Sequence, residues 1–83
     1  MDKLTELDDF TKDNLEKLGA RLREIRKAKG YKNHELFAYN NDISRSQYGR
    51  YEKGSDMKIS SLLKILHAHG MSLGEFFGEG FEE

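Results

Sequence analysis

A chain of 83 residues, 36% of them hydrophobic, can build one small core and has no material for a second. Charged residues make up 35% and no apolar run reaches the length of a bilayer-crossing helix, which excludes a membrane span. No secretory leader is visible, and the lack of cysteine excludes disulfides and thiolate zinc sites, a usage suited to a reducing cytoplasm. The formal charge of -1 is an average over three segments. Residues 1–18 hold three lysines against six acids, residues 19–58 ten Lys/Arg against five acids, and residues 59–83 one lysine against four acids. The basic middle is the electrostatic footprint that a polyanion requires, with acidic ends on either side of it.

Apolar residues recur at intervals of three and four and proline is absent, so every element reads as helical. The stripe Leu15, Leu18, Leu22, Ile25 predicts a first helix over about 13–29, with Asp13 and Glu16 at cap spacing and Gly30 as its stop. Upstream, Leu4, Leu7 and Phe10 keep a similar spacing among acids, consistent with an extra turn or short helix docked on the body. Asn33 is a good N-cap for a short second helix through about Asn40, with Phe37 and Ala38 inward. Ser44 and Gln47 have capping-box spacing, so a third helix runs from Arg45 to Lys53 and Gly54 ends it. The fourth takes Ile59, Leu62, Leu63, Ile65 and Leu66 as its buried face and stops at Gly70. Ser72 and Glu75 form another capping box, flanked by Met71 and Phe76 at staple positions, and open a fifth helix that ends near Gly78.

The stretch "NHELFAYNNDISRSQYGRYEKG", with "LREIRKAKG" before it and "LLKILHAHGMSLGEFF" after it, resembles the helix-turn-helix of the Cro/repressor-like (XRE-type) family. The resemblance covers about residues 14–77. It implies an all-α, compact five-helix domain over 14–78, preceded by an acidic N-terminal segment (1–13) and followed by an acidic tail (79–83). The third helix would enter the major groove of double-stranded DNA, usually as a homodimer on a palindromic operator. The family's base-contacting positions fall on Arg45, Ser46 and Arg50, with Gln47 beside them. His34 stands where a glutamine commonly binds a phosphate and braces the recognition helix, and Lys32, Tyr48 and Lys53 complete the phosphate candidates. Arg26 and Glu52 occupy the positions of a structural ion pair. Three residues depart from the pattern: Asp42 replaces the turn glycine, Asn41 sits where an apolar residue is usual, and Leu36 where an exposed polar one is. The last allows a slight rotation of helix two.

The residue chemistry points the same way. Tyr48 and Tyr51 lie three apart and are expected to anchor a helix too short to stand alone, leaving Arg45, Ser46, Gln47 and Arg50 outward. Arginine matches guanine O6 and N7, and glutamine has a similar fork for adenine. Gly49 reads as clearance for a nearby backbone or base edge. Arg21, Arg23, Lys27, Lys29 and Lys32 divide between phosphate contacts and ordinary solvated charge. His67 and His69, two apart on a helix, point to nearly opposite sides and cannot share a metal. With no glycine-rich phosphate loop and no cysteine nucleophile, and with Ser44 and Ser72 explained as caps, no enzyme, cofactor or small-molecule substrate is expected. The competing class is a protein-interaction module on the same fold, such as an antitoxin, using the acidic ends and an exposed cluster of Phe76, Phe77 and Phe81.

Overall fold

The computed structural model describes residues 8–82 and contains five helices: α1 (Asp9–Ala28), α2 (His34–Asn40), α3 (Arg45–Glu52), α4 (Ile59–His69) and α5 (Leu73–Phe77). No strand occurs among the described residues. Helix α1 starts ahead of the expected Asp13. The cap is Asp8, whose carboxylate accepts from the Thr11 N–H at 2.7 Å and is held below the usual carboxylate range by its hydrogen bonds to Thr11. Residues 9–12 thus continue α1 instead of docking on the body, and Phe10 is 71% exposed. Leu4 and Leu7 lie outside the described residues.

The core is assembled from one stripe of each helix: Leu22 and Ile25 of α1, Phe37 and Ala38 of α2, Tyr48 of α3, Leu62, Ile65 and Leu66 of α4, and Phe76 of α5. On α4 two residues expected inward face solvent, Ile59 and Leu63. Ile59 lies in the first turn, ahead of the covered Leu62, and Leu63 is rotated about 100° from Leu62 around the axis. Helix α4 ends on Gly70 in the left-handed region, at φ 64°. Both halves of the capping box on α5 are present: the Glu75 N–H donates to Ser72 Oγ at 3.1 Å and the Ser72 N–H to Glu75 Oε1 at 2.8 Å.

Arg21, read from sequence as a phosphate contact or solvated charge, is a fastener. Its Nε donates to the Phe76 carbonyl at 3.1 Å and its Nη2 to that of Glu75 at 3.3 Å, while the guanidinium stands 5.8 Å from the centroid of the Phe76 ring. It thereby satisfies the C-terminal carbonyls of a helix too short to hold itself. The expected exposed trio of phenylalanines is also corrected. Phe76 is fully buried, Phe77 is exposed, and Phe81 turns back to pack on both at 5.9 and 4.9 Å.

Candidate nucleic-acid interface

The turn between α2 and α3 sets the angle at which α3 leaves the core. Asn33 caps α2 by accepting from the Leu36 N–H at 2.9 Å. Phe37 and Ala38 are buried while Leu36 points out, so α2 keeps the expected register and is not rotated. The Asn41 side chain suits its partly buried position by donating to the Phe37 carbonyl at 2.8 Å. Asp42 takes the left-handed conformation, φ 60°, the one non-glycine residue with positive φ among those described. Its carbonyl accepts from Lys64 Nζ at 3.1 Å, and the Ile43 N–H closes the turn on the Ala38 carbonyl at 2.8 Å. Ser44 then caps α3 by accepting from the Gln47 N–H at 3.3 Å; the return bond from the Gln47 side chain is not made, so this capping box is half formed.

The inner face of α3 differs from the pair of tyrosines read from the sequence. Tyr48 and Gly49 are buried, and the Glu52 side chain is 8% exposed. Tyr51 is half-buried on the flank, lining a cleft toward α4 with Gln47, Met57 and Lys58. The cause is angular: residues three apart on a helix diverge by about 60°, those four apart by about 40°, so Tyr48 and Glu52 share the buried line and Tyr51 falls off it. Tyr48 therefore cannot be the phosphate contact expected of it. Its ring packs 4.9 Å from that of Phe37 with no exposed surface. Burial, then the neighbouring Glu52 carboxylate, pushes its phenol pKa up and keeps it neutral.

Arg26 and Glu52 form a two-pronged ion pair, Nε to Oε2 at 2.7 Å and Nη2 to Oε1 at 3.1 Å, and the remaining Arg26 Nη1 donates to the Tyr31 carbonyl at 2.8 Å. Arg26 is thus buried with each of its three guanidinium nitrogens partnered, and the Glu52 contact raises its pKa further. One residue joins α1, the α1–α2 loop and α3. Gly19 permits this closeness, because a Cβ there would stand 2.6 Å from the Tyr51 carbonyl oxygen and 2.7 Å from that of Glu52. Sequence reasoning passed over Gly19. Its signal was a glycine inside an amphipathic helix, where it lowers helix stability by about 1 kcal/mol relative to alanine.

Gly49 is not clearance for a base edge; it faces α2. A Cβ on it would lie 2.7 Å from His34 Nε2 and 2.9 Å from Cδ2, so the missing side chain is the seat of the imidazole ring. His34 lies half-buried in a cleft of about 260 Å³ with Arg23 and Lys53 as further cations, while Arg26 and Glu52 on the same wall neutralise each other. Lys32 is exposed on the loop before α2. Arg45, Ser46, Gln47 and Arg50 are all exposed. Arg50 is exposed on the outer face, Gln47 borders the cleft toward α4, and Arg45, in the first turn, stands beside α2 in a cleft shared with His34 and Glu35.

Among the described residues no helix is long and apolar enough to cross a membrane. The helix-turn-helix family model matches residues 22–76, from the middle of α1 into α5. Neither a curated protein nor a solved structure matches the chain.

Proposed function

The chain belongs to the Cro/C1-type (XRE) helix-turn-helix family, a family of double-stranded-DNA-binding regulators, and on that premise we propose that it is a small, sequence-specific transcriptional repressor. The observation that carries this reading is the division of α3: its inner face is occupied by core and ion-pair contacts, while Arg45, Ser46, Gln47 and Arg50 stand outward on the same rigid rod. In the major groove those four meet base edges, and His34, Lys32 and Lys53 hold phosphates. Positioning and reading are separate tasks. A domain that covers its operator excludes other proteins from that stretch, which makes repression the simplest output. The protein works in the cytoplasm, without a cofactor.

One copy makes few contacts, so the working unit is a homodimer on two half-sites about 34 Å apart. Exposed Leu73 and Phe77, with Phe81 beside them, supply an apolar face for self-association. That same face favours one second reading, a partner-binding module such as an antitoxin. Titration with random duplex DNA separates the two. The DNA reading expects weak binding whose logarithm falls with log salt by about 0.9 per phosphate neutralised, and selection from a random duplex pool then yields a two-fold symmetric consensus. Absence of salt-dependent binding would leave the partner-binding reading.

A further inference from the structure

Arg45 does not stand alone at the start of α3. It lines two adjoining clefts, one with His34 and Ser46 and one with Asn33, Leu36 and Tyr39, and Glu35 is the one carboxylate in both. Leu36 and Tyr39, 46% and 72% exposed, form an apolar wall on the outer side of α2 next to this arginine. Neither Arg45 nor Glu35 belongs to an ion pair among the described residues.

Resting on the DNA-binding reading, we infer that Glu35 and the Leu36–Tyr39 wall are positioning residues that cradle Arg45 and fix the edge it presents to a base. A guanidinium reads guanine only when one edge lies in the plane of the base pair with both N–H groups aimed at O6 and N7. A long, flexible side chain reaches that state at an entropic cost unless something holds its other edge. On DNA the Glu35 carboxylate closes on Arg45 and accepts from the edge turned away from the base, a pair that the free protein does not make. In that bound state the stem lies along the Leu36–Tyr39 wall, which already lines the same cleft as Arg45. The arrangement also accounts for two otherwise awkward features. A lone carboxylate beside the phosphate face would repel DNA, and pairing with Arg45 offsets its charge. Leu36 is apolar at a position that faces outward, and it lines the same cleft as Arg45.

The test starts from the consensus selected with the wild-type protein. Affinities are measured for that site and for sites changed at one base pair at a time, using wild type, Glu35→Gln, Arg45→Ala and the double variant. Arg45→Ala identifies the base pair it reads as the one at which discrimination collapses, by about tenfold. Glu35→Gln is expected to relax discrimination at that same base pair severalfold, with affinity for random DNA unchanged or higher, and to have no further effect once Arg45 is alanine. Unchanged urea unfolding shows that the exposed Glu35 acts on reading and not on the fold. Discrimination that survives Glu35→Gln overturns the inference, as does a loss at a different base pair that persists without Arg45, which makes Glu35 a direct reader. If the wild type selects no sequence and binds no duplex, the DNA-binding reading itself has failed, a result distinct from either.

Discussion

Replacing Gly49 with alanine separates the two tasks assigned to this face. The new Cβ would stand 2.7 Å from His34 Nε2 and 2.9 Å from Cδ2, well inside contact distance, so the ring must leave its seat. The obstructing atoms are the tip of a side chain that can swing into solvent, and alanine raises helix propensity by about 1 kcal/mol, so stability should hold or rise slightly. Binding should suffer. A hydrogen bond to a charged group contributes about 1.5–3 kcal/mol, and its loss from a phosphate weakens affinity roughly tenfold to a hundredfold. The assay is urea unfolding together with titration of a selected operator at fixed salt, repeated in a His34→Ala background where Gly49→Ala should cost nothing more. Wild-type affinity for Gly49→Ala, or an equal loss with and without the imidazole, would refute the seat.

At Gly19 the same substitution has the opposite outcome. Its Cβ would meet the Tyr51 and Glu52 carbonyl oxygens at 2.6 and 2.7 Å, and backbone cannot swing aside, so Gly19→Ala should destabilise by about 1–3 kcal/mol despite its better propensity; equal or greater stability in urea counts against the close approach. Glu52→Gln leaves Arg26 as a buried charge without its counter-ion and should cost about 3–5 kcal/mol by chemical denaturation, with a loss below about 1 kcal/mol contradicting the assigned role. His69 stacks on Phe37 at 4.7 Å, and burial, then Lys29, holds its pKa below the usual imidazole value. The unfolded chain therefore takes up that proton first. Stability is full above about pH 6.5 and declines as pH falls through the folded value, so His69→Phe, which keeps the stack, should flatten the profile on the acid side of about pH 6.5. Arg50→Ala should relax sequence preference about tenfold with a smaller loss on random DNA, and Lys53→Ala should weaken all sequences alike while lowering the salt slope by about 1; equal losses from Arg50→Ala oppose its role as a reader.

The helices were legible where a local signal decides them. Asn33, Ser44 and Ser72 cap as their side chains dictate, and Gly70 ends α4 in the left-handed region as expected of a glycine stop. The start of α1 was less so, because Asp8 and Asp13 are both acceptable caps and only the chain's actual path chooses Asp8. On α3 the outward residues could be named, yet the inner face was misread. Three-residue spacing placed Tyr51 with Tyr48, whereas the buried direction is set by what α1 and α2 offer: the Arg26 guanidinium opposite Glu52 and the imidazole opposite Gly49. Periodicity encodes neither contact: the resemblance supplied the Arg26–Glu52 pair, and nothing in the sequence pointed to His34 against Gly49. Arg21 was opaque for the same reason, since its partners are backbone carbonyls 54 and 55 residues downstream.

Helix α3 has eight residues, one of them glycine, and such a segment has almost no helical stability of its own. Its order is borrowed. Tyr48 fixes it to the core, Glu52 to Arg26 of α1, the Tyr51–Glu52 backbone to Gly19, and the Ser44 hydroxyl satisfies one of its first N–H groups. None of these fasteners uses the side chain of Arg45, Gln47 or Arg50. The outward residues can therefore be exchanged with little effect on folding, and changes in α1, remote from any base, should loosen the helix that carries them. A domain built this way keeps its fold and its proposed reading surface on different sides of the same eight residues, so one can vary while the other is held.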